Sequence, residues 1–181
     1  EIAGYVDNIE SKKLILPYLG NDEFVLSNFS PEEYRVHHAV VYTNDVNLSL
    51  RSRIIQQYEG YESYTIIARS ALVTSSSKIA GGCSLVPFAI VNAPTPAQNS
   101  VINTKAVIEH GCILGNNVFV GPGAIVCGDT CIGDNVLVGA GVIIRDGIEI
   151  TENVTIGMGS VVVRSIVEPG VYLGNPCRKI R

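Results

Sequence analysis

The sequence has 181 residues, a formal net charge of −4 and 46% hydrophobic content, with pI about 5.3 and mean hydropathy +0.28, enough to bury a substantial core in one or two domains. No run of Lys or Arg offers the footprint that nucleic acid or an anionic membrane needs, and no apolar segment approaches the roughly 20 residues that cross a bilayer. The start has no signal-peptide pattern, so the chain is expected in the cytoplasm; its five cysteines (Cys83, Cys112, Cys127, Cys131, Cys177), without a C-x-x-C pair, are expected as thiols.

Composition changes near residue 63. Seven of the eight tyrosines precede residue 65 and fifteen of the eighteen glycines follow residue 80. In the first part EIAGYVDN reads as a short strand ending in a polar turn. Ser30-Pro31-Glu32-Glu33 carries a capping residue, Pro at the first helical position and Glu three after the cap, which predicts a helix start. Ala39 to Tyr42 reads as a buried run. A second helix is predicted from about Asn47 to Tyr58, with Leu50, Ile54, Ile55 and Tyr58 on one face and Gly60 ending it. Strands alternating with helices define a small α/β unit over residues 1–62.

From residue 63 the period is six. Aliphatic residues recur at every sixth position from Ile102 to Val162, eleven in unbroken register, and a small or β-branched residue or Cys stands two before each. Both sets are expected to point inward. An earlier block, Ile67 to Val91, keeps the rule one residue out of phase, so a corner within NAPTPAQN is one residue short, and a bend or bulged loop is expected there. Asn99, Asn117, Asn135 and Asn153 are spaced by 18, three sides of six, and Asn tolerates the positive φ of sharp corners. The prediction for residues 63–181 is a triangular coil of short parallel strands with a C-terminal tail.

Within that array the run I-N-T-x-A-x-I-E-H at Ile102 to His110 and the closing G-N-P-x-x-K at Gly174 to Lys179 are distinctive. With the small α/β unit before the coil, they make the sequence resemble the left-handed hexapeptide acyltransferases, and among them the bacterial enzymes that acetylate nucleotide-linked amino sugars or sialic acid. That resemblance implies a left-handed parallel β-helix preceded by a small Rossmann-like α/β subdomain. In the family a first strand and a glycine-rich loop precede the segment matched by GYVDN. The subdomain is therefore expected to lack its first strand, and the natural chain to be longer.

Spacing alone leaves His110 either a surface histidine at a corner or a catalytic one. The resemblance makes it the general base for direct transfer from acetyl-CoA, a task suited to an imidazole that is largely neutral near pH 7. It further implies that Asn103 and Glu109 lie near the acceptor sugar and that the Gly128 amide receives the oxyanion. Gly157 and Met158 would meet the pantetheine, Arg164, Arg178 and Lys179 the CoA phosphates, and Asp7 and Asn8 the nucleotide sugar, in a homotrimer with sites between subunits. Relatives often carry an acidic residue or Asn directly after the histidine, where this chain has Gly111, and some have a second histidine where it has Phe119. Glu109 is then the nearest candidate to orient His110.

The implied function is N-acetylation of a nucleotide-linked 4-amino-4,6-dideoxy sugar for surface glycan or polysaccharide synthesis. Sialic acid O-acetylation and a non-catalytic trimeric scaffold are the alternatives. No metal is expected: a zinc enzyme on this fold needs three converging histidines, and His37 and His38 lie outside the repeat.

Overall fold

The structure, a computed structural model, describes residues 1–40, 45–93, 95, 96 and 98–181. Beyond Tyr64, among the described residues, the chain winds mostly through two-residue strands that stack in parallel into faces of eight, six and four strands, the last strand of the eight, Arg178–Lys179, running antiparallel to Gly170–Leu173. Each strand pairs with the one a full coil later, as in Ile125↔Ile143 and Cys131↔Glu149. Strands stop after two residues because the chain must turn at every side of the prism. Within a strand the first residue faces out and the second in: Ile113 is 59% exposed and Leu114 only 2%.

Both inward sets are buried, from Ser100 and Ile102 to Ser160 and Val162. Each buried aliphatic side chain contributes about 1.5–3 kcal/mol, so the period-six pattern is the main source of stability. The polar members are satisfied by local backbone: Thr130 Oγ1 donates to Cys127 O at 2.8 Å and Ser160 Oγ to Gly157 O at 2.6 Å.

The corners form three edges. The first is the asparagine edge, where Asn99, Asn117, Asn135 and Asn153 all have φ between 55° and 58°, as their spacing predicted, and Asn117 Nδ2 donates to Asn135 Oδ1 at 2.7 Å. On the second, Lys105 precedes Gly123, Gly141 and Gly159, and on the third Asp129 stands between Gly111 and Gly147, all with positive φ. For Lys105 that conformation costs roughly 1–2 kcal/mol.

The phase slip is resolved in the pairing. Val91 pairs with Ile108, 17 residues on, whereas Pro96 pairs with Leu114, 18 on. The short corner therefore lies between Val91 and Thr95. The corner is one residue short as expected, with a bend at Ala93, and pairing resumes with Pro96 inside a strand; Pro94 lies outside the described residues.

The N-terminal region is slight. Tyr5 bridges Tyr18, and Arg35–Val36 pairs in parallel with Glu62–Ser63. The first helix, α1 (Asp22–Asn28), is earlier than predicted: Asn21 caps it by accepting from the Phe24 N–H at 2.9 Å, and Asp22 and Glu23 fill its first turn. Ser30 starts only one turn, Tyr34 N–H to Ser30 O at 3.0 Å. The chain must be extended again by Arg35, and one turn does not repay helix nucleation.

The second helix, α2 (Asp45–Gln57), lies close to its predicted span. Its buried face differs: Tyr58 is buried but Leu50 is 41% exposed, and Arg51 is fully buried. Gly60 follows in a turn without the positive φ of a C-cap. Of the expected buried run, Ala39 is exposed and Val40 half-buried; Val41 and Tyr42 lie outside the described residues.

Arg51 and Ser52 fasten α2 to the asparagine edge. Arg51 donates to Asn117 Oδ1 and, at 2.9 Å, to Val40 O; Asn117 Nδ2 donates to Ser52 Oγ at 2.9 Å. His37 adds a second tie, its ring nitrogens 2.8 Å from Tyr64 O and 2.9 Å from Ser84 Oγ.

Candidate active site

His110 and Gly111 form the corner between the six-stranded and four-stranded faces, on the third edge. Gly128 stands one coil on, Asp146 two and Arg164 three, so these four share one column. The His110 imidazole fills the space that a side chain on Gly128 would take: a Cβ there would lie 2.6 Å from Cε1 and 2.9 Å from Nε2. Glycine at 128 is what admits the imidazole in this position.

The backbone holds the corner tightly. Asp129 N–H donates to His110 O at 2.9 Å and Gly147 N–H to Gly128 O at 3.0 Å. Among the described residues no carbonyl accepts from the Gly128 N–H, which leaves it able to donate to a bound group beside the imidazole. Glu109 is half-buried at the strand exit, its N–H bonded to Val126 O at 3.0 Å. Above it Cys127 is held up in pKa by burial and then by the carboxylates of Asp146 and Glu109. That thiol stays protonated and is a poor nucleophile near neutral pH.

Asn103 occupies a different edge. It ends a strand of the eight-stranded face, and its Oδ1 accepts from Thr104 N–H at 2.7 Å. Gly157 shares its column, with Gly121 and Gly139 between, and Met158, 76% exposed, follows Gly157. The whole six-stranded face separates this edge from His110, so within one chain Asn103, Gly157 and Met158 are not brought to the histidine.

Arg164 lies on the histidine edge, three rungs of roughly 4.8 Å above His110. The C-terminal hairpin runs beside it: Cys177 N–H donates to Val161 O at 2.8 Å, and Leu173 pairs with Arg178. Arg178 and Lys179 are exposed, but Lys179 Nζ is in an ion pair with Glu168 at 2.9 Å. Asp7 and Asn8 lie in an exposed N-terminal turn where Asp7 Oδ1 accepts from Asn8 N–H at 2.7 Å. Among the described residues no group of three or more His, Cys, Asp or Glu is arranged to hold a metal, and no helix is long and apolar enough to cross a membrane.

Two features escaped the sequence. Arg51 gave no signal, being one charge within a helical pattern. Asp129 had one: it stands 18 residues after Gly111, the corner spacing already seen in the asparagines.

Comparison with known proteins agrees with this fold. Residues 129–164 match the family described as bacterial transferase hexapeptide (six repeats). The acetyltransferase domain of PglB from Neisseria gonorrhoeae, solved with acetyl coenzyme A, is 27% identical; the match covers 97% of this chain and 84% of that one with a TM-score of 0.85. PerB from Caulobacter crescentus, solved with CoA and GDP-perosamine, is 25% identical over 93% of this chain and 80% of its own, TM-score 0.80. WeeI from Acinetobacter baumannii, 19% identical over 98% of this chain and 85% of its own with a TM-score of 0.66, shares the fold.

By fold and by these likenesses the chain is of the left-handed β-helical, hexapeptide-repeat acetyltransferase type. Among such proteins it is similar to an acetyltransferase domain solved with acetyl coenzyme A and to a protein solved with CoA and GDP-perosamine.

Proposed function

We propose that this acetyl-CoA-dependent acetyltransferase transfers acetyl to the amine of a nucleotide-linked 4-amino-4,6-dideoxy sugar, with His110 as general base. The observation that carries the reading is the seating of the His110 imidazole over Gly128, beside an amide with no carbonyl partner among the described residues. PerB, solved with CoA and GDP-perosamine, and PglB, solved with acetyl coenzyme A, support the substrate classes.

In the proposed reaction the amine attacks the thioester carbonyl and gives its proton to the His110 imidazole. The new N–C bond forms while the oxyanion accepts from Gly128 N–H. The C–S bond then breaks, and the departing thiolate takes the proton from the imidazolium. The raised pKa of Cys127 favours this direct route over an acetyl-enzyme.

The assignments of Asn103 and Glu109 to the acceptor, Gly157 and Met158 to pantetheine, and Arg164, Arg178 and Lys179 to the CoA phosphates remain part of the proposal. So do Asp7 and Asn8 for the nucleotide sugar, and a division into a nucleotide-sugar region (1–62) and an acetyltransferase β-helix (63–181).

A homotrimer is the natural assembly. The six-stranded face turns Leu72, Ile90, Val107, Ile125, Ile143 and Val161 outward, one aliphatic residue per rung, with Leu72 65% and Ile143 43% exposed. Burying that face against neighbouring chains would bring the Asn103 and Met158 edge of one chain toward the His110 edge of another. The thiols Cys112, Cys127, Cys131 and Cys177 suit a reducing compartment, and we assign the reaction to the cytoplasm, in surface glycan synthesis.

The test is incubation with acetyl-CoA and each of GDP-perosamine, a UDP-linked 4-amino-4,6-dideoxy sugar and CMP-sialic acid, with product mass and linkage determined. N-acetylation of an amino sugar, lost by orders of magnitude in a folded His110→Ala variant, is expected. Exclusive O-acetylation of the sialic acid, or no acetylation, would sink the reading.

A further inference from the structure

Three columns of residues run along the histidine edge. Glu109, Cys127 and Arg145 form the first, His110, Gly128 and Asp146 the second, and Gly111, Asp129 and Gly147 the third, tied coil to coil by the backbone bonds Glu109 N–H to Val126 O, Asp129 N–H to His110 O and Gly147 N–H to Gly128 O. The His110 side chain leans toward the following coil, into the space above Gly128. Asp129 leans the other way: a Cβ on Gly111 would lie 2.0 Å from Asp129 Oδ1, so the carboxylate occupies the place of the side chain that Gly111 lacks.

Adjacent columns are one Cα step apart, about 3.8 Å, and coils are about 4.8 Å apart. Imidazole and carboxylate therefore lie in neighbouring columns between the same two coils, with no ion pair between them among the described residues and near enough for a rotation of either side chain to bring them together. The direction of the Asp129 side chain is set by its backbone, with φ +56 and its N–H held by His110 O at 2.9 Å. Two other carboxylates border the imidazole with less constraint. Glu109 stands on a longer stem at the strand exit, and Asp146 is exposed one coil beyond Gly128. Arg145 is the nearest cation of the three columns.

We propose that Asp129 is the positioning residue for His110, its carboxylate, held over Gly111, orienting the imidazole and balancing the charge gained when the ring takes up a proton. This rests on the reading of His110 as base. In this role Asp129 exchanges no proton with the substrate.

The decisive comparison uses Asp129→Asn, which keeps a residue tolerant of positive φ, and the exchange Gly111→Asp with Asp129→Gly, which returns a carboxylate to the same space from the neighbouring coil. Ring 15N spectra are recorded with coenzyme A bound; with three histidines in the chain, the His110→Ala spectrum assigns the signal. One neutral tautomer is expected to dominate in the natural protein, a mixture in Asp129→Asn, and one tautomer again in the exchange. With the acceptor found above, kcat of Asp129→Asn falls roughly tenfold or more with KM for acetyl-CoA within about twofold, and the exchange recovers most of it.

An unchanged ring spectrum and kcat in Asp129→Asn overturn the proposal, as does the same change arising from Glu109→Gln or Asp146→Asn instead. If His110→Ala also turns over normally, the base reading has failed rather than this refinement of it. Tautomer selection remains measurable in either case.

Discussion

The imidazole of His110 lies against the α-carbon of Gly128, in the place where any other residue would carry its Cβ, 2.6 Å from Cε1. A contact of that length cannot be absorbed by the Gly128 backbone, which is tied through its carbonyl to Gly147. Gly128→Ala should therefore push the ring out of its seat while leaving the core untouched. The expected result is an unchanged thermal midpoint and a kcat lower by about 10²-fold or more. Melting curves paired with steady-state rates check it; a rate within twofold of the natural protein would show that the ring position does not matter.

Acid should loosen the N-terminal region before carboxylates titrate. His38 is buried beside Arg51, and burial, then Arg51 and His37, lower its pKa from 6.5 to about 4. Between those values the unfolded chain binds the extra proton, so stability is complete above pH 6.5 and falls as pH drops toward 4. From pH 7.5 to 5 the loss should be about 2 kcal/mol, read from urea midpoints. His38→Leu should flatten that slope, and an unaltered slope would acquit His38.

Arg51→Leu removes a fully buried guanidinium from the asparagine edge. Asn117 then loses a donor inside the protein, a change worth about 2–4 kcal/mol. A fall of roughly 5–15 °C in the melting midpoint is expected. Acetylation measured well below that midpoint should change far less, since Arg51 lies on another edge from His110.

Charge on the six-stranded face should separate chains. Ile125→Lys with Ile143→Lys replaces two outward rungs, 37% and 43% exposed in the single chain, and leaves every inward residue in place. Sedimentation should show trimer converted to monomer with the β-helix spectrum intact, and acetylation lost with the assembly. An unaltered mass would mean that this face does not pack.

Much of this was legible in the chain. The period of six gave the inward residues and the interval of 18 gave the asparagine edge, because in a solenoid each burial decision is repeated at fixed spacing. The first helix was misread since Ser30-Pro31-Glu32-Glu33 has the local chemistry of a start without room for a helix, whereas Asn21 caps one from a less conspicuous setting. The burial of Arg51 depends on where α2 lands, a tertiary fact with no local signature. The site was readable in part: His110 and Gly128 stand one coil apart by counting. That Asp129 reaches back to fill the space over Gly111 depends on the direction of a side chain at positive φ, and composition does not carry it.

The shortened corner has a location as well as a length. Val91 pairs with Ile108 and Thr95 with Ile113, so the missing residue lies directly beneath the corner Glu109 to Cys112. His110 thus stands on the turn directly above the shortened one, with a step below it and Arg164 three rungs above. The working part of that edge has a floor and a ceiling: coils could be added before Ser63 without lengthening it, while an insertion between His110 and Arg164 would stretch the distance that one coenzyme must span.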